Sequence, residues 1–545
     1  VTSQGLRAAS LVVLAVVCVL FASCAGAARG SGATAHTAVA ADDEAHSQDA
    51  VAPKLPLAVR RPGAEPVGEP PQLPPELTLQ HCFRLALQNN KDIRVAWWGA
   101  DASEAQVDGA RGEFDPEVFM ELSRGRTNTP VEAVPLDRTD TADGALSAGV
   151  RKRIVTGTDL ELSASTDYER DLDPDEETYI NPTYGPEVKL VLSQDLLKDF
   201  GVDVNRTNIL IAQNNWKISA EELRSTVIQR LLEVEEAYWG LYFALAELKV
   251  REMQLQLGQE LVRVADLQEE VGISAAIDVM RAESRAAERA TSIIGGRNDV
   301  ARSTHRLLRA LGVVDVEHVQ ADFELVDAPT TETFETDVAE ALQVAQALRP
   351  DYLQAKLAAD NAGLERSFYR NQRLPSLQLF GEYAFAGLDD DMGQSWEVLD
   401  DGDHGSWLLG LRFSYPIPNR TARSDYRVSE LRHRQAKLRL DALTEQITRE
   451  LADALSDLHA AEGRIETTRK ARELAERLLE AEQKSFTLGR SDSLDVLAAQ
   501  EALGRAETAE ARAQADHATA LARLFAVQGN LLERKGIAFA RPTER

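Results

Sequence analysis

Val271-Gly272-Ile273-Ser274-Ala275-Ala276-Ile277-Asp278-Val279-Met280 returns 217 positions later as Leu488-Gly489-Arg490-Ser491-Asp492-Ser493-Leu494-Asp495-Val496-Leu497. Glycine suits the left-handed cap that ends one helix, and Ser274 or Ser491 can start the next. Each phrase interrupts a long proline-free interval, Pro186 to Pro329 and Pro418 to Pro542. Proline breaks helices, so very long helices fit only in such intervals. Within them the apolar residues step by threes and fours, as in Ile228, Leu231, Val234, Tyr238, Leu241 and Leu245, and again in Ile447, Leu451, Ala454, Leu458 and Ala461. That is coiled-coil spacing. The phrases therefore predict the tips of two long helical hairpins, over 205–311 and 420–528.

Gly312 and Gly529 keep the same offset of 217, which reads as an internal repeat of two homologous halves. Upstream the offset is 259, for Asp92 with Asp351 and for Pro116 with Pro375. The first half thus carries 42 extra residues between Pro116 and Gly272. Alternating segments, the period of half-buried strands, lie at Ser376–Phe385 and Trp407–Tyr415 in the second half, and at Glu117–Arg124 and Glu187–Ser193 in the first. Between the latter two stands an added alternating pair, Ala145–Ile154 and Thr158–Ser165, turned at Thr156-Gly157, which predicts an inserted hairpin at about 126–185.

These segments are about ten residues long with one apolar face, as transmembrane β-strands are. Phe119, Tyr184, Phe380, Tyr383, Trp407 and Phe413 gather in or beside them, as an interfacial girdle requires. A soluble sandwich with an aromatic core is the competing reading. Two strands per half, or six in all with the extra hairpin, cannot close a barrel, because the smallest spanning barrels need about eight. Open edges cannot face lipid, so several chains must share one barrel. The first long helix, roughly 65 residues, would extend on the order of 100 Å, a spacer's length and not a compact domain's. Short helices are expected at Leu77–Asn90, Ile93–Glu113, Asp337–Leu348 and Tyr352–Arg373. Together with Val313–Thr333 they would form a girdle around the long helices. Gly295-Gly296 marks either a bend or a tolerated weak point in the first return helix.

At the N-terminus, Arg7 precedes an apolar run from Leu11 to Phe21 and then small residues, the pattern of a secretory signal over 1–27. Two processing readings are open. Phe21-Ala22-Ser23-Cys24 resembles a lipobox that would leave Cys24 lipidated; Ala25-Gly26-Ala27 is an ordinary cleavage site. Residues 28–76, rich in Ala and Pro, read as a disordered linker. The halves then occupy 77–312 and 334–529, joined by 313–333 and followed by a tail over 530–545. Aromatics are only 6%, which suits long helices better than a thick globular core. The net charge of −28 argues against nucleic acid as a partner. No metal-ligand spacing, phosphate loop or catalytic set is found, so neither an enzyme nor a cofactor is expected. Cys82, on an apolar helix face, reads as core.

The chain resembles the TolC-like family of outer-membrane efflux proteins. The likeness rests on Leu77-Thr78-Leu79-Gln80 followed by Ala86-Leu87-Gln88-Asn89-Asn90, on the doubled tip phrase, and on two strand-to-helix corners. These corners are Ser193-Gln194-Asp195-Leu196-Leu197-Lys198-Asp199-Phe200-Gly201, with Asp195 where proline is usual, and Ser414-Tyr415-Pro416-Ile417-Pro418-Asn419-Arg420. The resemblance implies a mixed α/β membrane protein: a homotrimeric, twelve-stranded β-barrel continued by an α-helical coiled-coil tunnel across the periplasm. It implies docking on a periplasmic adaptor and an inner-membrane transporter, with the barrel in outer-membrane lipid. By the same resemblance the tips, Val271, Gly272, Ile273 and Ser274 with Leu488, Gly489, Arg490 and Ser491, contact the adaptor. Asp278 and Asp495 would lie at the constricted mouth, where a ring of carboxylates attracts cations. The bland alternative is that each carboxylate only caps its helix. Ser491 stands where the family's gate-locking arginine falls, and Ala498 where a further gate acid falls; Arg490 and Asp492 are the candidate replacements. The implied function is an efflux exit duct. The same fold also serves protein secretion of type I, and a periplasmic coiled-coil scaffold is the reading from another class.

Overall fold

The computed structural model describes residues 57–58, 74–131, 137–172, 180–272, 275–313, 323–331, 333–488, 490–491 and 493–539. The signal segment, Cys24 and most of the linker fall outside them. The chain divides into two compact units.

The first unit contains residues 108–211 and 363–431 and is organised by one antiparallel sheet. Its strands are β3 (Glu117–Val131), β4 (Asp137–Ile154), β5 (Thr158–Asp171), β6 (Thr183–Asp195), β8 (Ser376–Ala386) and β9 (Gly405–Ser414), hydrogen-bonded in that order. The expected inserted hairpin is therefore part of the sheet. Gly157, at φ +87°, makes the β4–β5 turn, and an added Cβ would lie 2.5 Å from the Asp199 carbonyl oxygen. Asp195 also gains a physical reason. Its amide donates to the Gly157 carbonyl at 3.2 Å, a bond that proline could not make. The corner after β6 is held by Asn371, which accepts from the Asp199 amide at 2.8 Å and donates to the Leu197 carbonyl at 3.1 Å.

The acidic stretch between β8 and β9 contains a helix, Met392–Asp400, capped by Asp391 through the Gly393 and Gln394 amides. Asx capping offers those amides a partner that a loop would leave to water.

The second unit contains residues 54–107, 212–362 and 432–545 and is helical. The helices, numbered along the chain, begin with α1 (Leu79–Asn89) and α2 (Lys91–Arg111), then α3 (Val202–Asn205) in the first unit, α4 (Thr207–Glu270) and α5 (Ala276–Leu311). After α6 (Val338–Leu348), α7 (Pro350–Asn371) and α8 (the Met392 helix) come α9 (Arg420–Thr487), α10 (Ser493–Gln528) and α11 (Leu531–Arg534). The apolar stripe of α4 is the core: Leu231, Tyr238 and Leu241 are buried with Cys82, Phe83, Leu307, Leu311, Phe525 and Leu531. A second cluster joins Ile447, Leu451 and Leu458 of α9 to Ala341, Ala345 and Leu524. Two short parallel pairs, β1 (Leu57–Ala58) with β10 (Ile537–Ala538) and β2 (Glu76–Leu77) with β7 (Glu324–Leu325), tie the flanking segments to this core. Gly295 and Gly296 do not interrupt α5. A Cβ on Gly296 would lie 3.1 Å from Leu248 and 3.3 Å from Arg251, so glycine serves close helix packing there.

Candidate functional site

Two features can carry function, and they belong to different units. The first is the sheet. Directly opposed residues share a face, so the ladder registers sort every strand into two faces. Val118, Val150, Leu162, Leu190, Tyr383 and Trp407 follow one another across all six strands in a single row. The next row is Met120, Ala148, Ala164, Val188 and Phe385. These side chains are not a core: Met120 is 72% exposed, Leu122 75% and Trp407 75%. An apolar face this continuous and this exposed needs an apolar neighbour.

The opposite face is polar. Arg151 donates two hydrogen bonds of 2.8 Å to Glu117, and Glu161 stands opposite Arg151 on the next strand. Lys189 lies 3.2 Å from Glu187 and 3.1 Å from Glu382. Among the described residues β3 and β9 each pair on one side only, which leaves a free ladder edge at both ends of the sheet. Among the described residues no helix is long and apolar enough to cross a membrane.

The second feature is the pair of hairpin tips. Gly272 adopts φ +74° and ends α4, its amide donating to the Glu269 carbonyl at 2.9 Å. Val271 is 68% exposed. Ile273 and Ser274 lie outside the described residues, as do Gly489 and Asp492. Asp278 sits in the first turn of α5 and lies 3.4 Å from Arg281, so its carboxylate has a local cation. Asp495 is exposed in the first turn of α10, with the Ser491 hydroxyl 3.1 Å from it and 2.8 Å from Glu482. Leu488 is 68% exposed, and the Arg490 amide donates to the Ser485 carbonyl at 2.9 Å. Behind the tips Leu261, Leu479, Phe486, Val496 and Leu497 form a buried cluster that joins α4, α9 and α10.

Two buried arginines, Arg224 and Arg289, and the partly buried Arg349 have interior roles that the sequence reading does not give. Arg224, 2% exposed, donates to the Leu348 carbonyl at 2.7 Å, the Gly529 carbonyl at 3.0 Å and Glu533 at 2.8 Å. Arg289 donates to the Gln254 carbonyl at 2.8 Å and to Gln500 at 3.0 Å, and burial pushes its ionisation down. Arg349 reaches Glu450 at 2.6 Å. Arg224 carried a signal, since a charge between Leu223 and Val227 interrupts an apolar stripe; the others did not. Cys82 is fully buried, and burial pushes its thiol up to about 12, in keeping with a core role.

A family model described as outer membrane efflux protein matches residues 83–313 and 341–530, well over half of the chain. The outer membrane efflux protein BepC of Brucella suis is 24% identical over 346 residues, covering 63% of this chain and 72% of that protein. A probable efflux pump outer membrane protein, TtgC of Pseudomonas putida, is 24% identical over 446 residues, 79% of this chain and 78% of its own length. Among solved structures, the outer-membrane channel OprN superposes with a TM-score of 0.61 at 19% identity, over 83% of this chain and 90% of that one.

Proposed function

This chain belongs to the outer membrane efflux protein family, and on that premise we propose that it is the exit duct of a tripartite efflux system. In this reading three copies form one β-barrel in the outer membrane, continued by helical hairpins into the periplasm. Substrates pass through the lumen without chemistry, handed on by an inner-membrane transporter and a periplasmic adaptor. The hairpin tips, Val271 to Ser274 and Leu488 to Ser491, are the adaptor's docking points. Asp278, Asp495, Arg490 and Asp492 surround the mouth, and a carboxylate ring there favours cations.

One observation carries the reading: a single sheet has an exposed apolar face, a charged face and two unpaired edges. In hydrocarbon an unpaired amide or carbonyl costs several kcal/mol, so edges there must be closed. Six strands are fewer than the roughly eight of the smallest spanning barrel, so one chain cannot close its own. Consecutive antiparallel strands alternate in direction, so β9 of one copy runs antiparallel to β3 of the next, and a ring of copies closes without a mismatch.

The test is purification of the full chain in detergent, followed by mass determination and single-channel recording in planar bilayers. A homotrimer that conducts is expected. A chain that leaves the membrane without detergent, runs as a monomer and conducts nothing would end the reading.

A further inference from the structure

The resemblance leads to an expectation of twelve strands, four from each of three chains; the sheet of this chain has six. We infer that the additional hairpin is a membrane-spanning part of the barrel wall, so that the trimer encloses eighteen strands and a correspondingly wider exit. The inference rests on the exit-duct reading and adds to it the width of the opening.

Three observations carry it. The hydrogen-bond ladder to the second-half strands runs through the addition. β6 pairs with β8 from Glu187–Ala386 to Asp195–Gln378, and β5 pairs with β4 from Thr158–Ile154 to Asp171–Thr141. With the hairpin in the wall, β5 and β6 are each hydrogen-bonded on both sides, as hydrocarbon requires of a spanning strand.

The addition also has membrane chemistry of its own. Leu160, Leu162 and Ala164 on β5, with Val188, Leu190 and Leu192 on β6, continue the apolar face in register. Leu162 is 44% exposed, Leu190 44% and Leu192 42%. Their alternates, Glu161, Ser163 and Ser165 with Glu187 and Lys189, continue the polar face. A hairpin projecting into water would have no use for that alternation.

Finally, the two halves contain one hairpin built twice. Phe119 lies over Gly149 with Arg151 above its ring at 5.8 Å; Phe380 lies over Gly410 with Arg412 above its ring at 5.0 Å. A Cβ would come within 2.6 Å of the Phe119 ring at Gly149, and within 2.5 Å of the Phe380 ring at Gly410. Gly149 follows Phe119 at the interval by which Gly410 follows Phe380, and each arginine stands two residues on. So β3–β4 is the counterpart of β8–β9, and β5–β6 is the added pair, one strand later than alternation alone suggested. Insertion of a whole hairpin keeps the strand count even, so the edges β3 and β9 stay antiparallel for closure between copies.

Barrel diameter grows roughly linearly with strand number, so eighteen strands give an opening about half again as wide as twelve. The cargo class this favours is bulky solute, for which a narrower collar at the membrane would be the obstacle.

The experiment uses the full chain reconstituted in lipid nanodiscs. Electron cryomicroscopy of the trimer is expected to show eighteen strands in the membrane. In parallel, Leu162→Cys and Leu190→Cys should be refractory to a membrane-impermeant maleimide, while Ser163→Cys and Ser165→Cys on the other face label through the lumen. A conducting trimer with twelve strands, and with Leu162→Cys and Leu190→Cys labelled from water, overturns the wide barrel but leaves the exit duct standing. A non-conducting monomer overturns both.

Discussion

Arg224 and Glu533 meet at 2.8 Å across more than half the length of the chain. The guanidinium also caps the Leu348 and Gly529 carbonyls, so one side chain of α4 closes the ends of α6 and α10. Helix ends leave carbonyls without intrahelical partners, and this is how two of them are satisfied in the interior.

Replacing Arg224 with Met keeps the stem's packing and removes every donor. Two buried carbonyls then lose their partner, at a cost of about 3 kcal/mol or more. Thermal unfolding of the detergent-solubilised protein should shift down accordingly. Lysine, with one compact ammonium, should restore only part of the loss. An unchanged midpoint in the Met variant would mean that the helix ends are satisfied otherwise.

Gly272 adopts φ +74° with nothing within 4 Å of an added Cβ. The penalty for a side chain there is conformational and not steric crowding. Gly272→Val should cost about 1–2 kcal/mol locally, whereas Gly272→Asn, which tolerates the left-handed region, should cost less. Hydrogen exchange at the tip reads the difference, and equal protection in both variants would remove the cap from the account.

Asp495 is exposed in the first turn of α10 and accepts from the Ser491 hydroxyl at 3.1 Å. If the tips form the mouth, Asp495→Ala should weaken blockade by multivalent cations. Single-channel recording with a trivalent cation measures this. Unaltered blockade in Asp495→Ala takes that residue out of the gate.

Glu235 is buried against Lys535, 2.6 Å away, and burial holds its carboxyl above the ordinary range despite the ammonium and the Trp239 hydrogen bond. A raised folded-state pKa means that the folded chain keeps a proton that the unfolded chain has already lost. Stability from this group is therefore full below the ordinary carboxylate value and falls as pH rises through the shifted one. Glu235→Gln should flatten the fall in stability that sets in above the ordinary carboxylate range. Denaturation midpoints across that fall decide it, and an unchanged slope would assign the dependence to other groups.

The long hairpins, the doubled tips and the alternating strands were legible in the chain alone. Each depends on local period or on proline and glycine chemistry, and such rules act within a few residues. On such a local rule the sequence alone assigns Gly272 its cap. The sequence also showed a surplus hairpin, because alternation is a local signal, but placed it one strand early, at the Thr156-Gly157 turn between β4 and β5. What the hairpin joins was not legible: pairing of β6 with β8 brings together residues nearly two hundred positions apart, and nothing in either strand names its neighbour. The same holds for Arg224 with Glu533 and for the capped helix after Asp391, whose acidic run reads equally well as loop. Periodicity specifies which face of an element is apolar. Only the folded chain decides what each face meets, because contact is set by packing over the whole molecule.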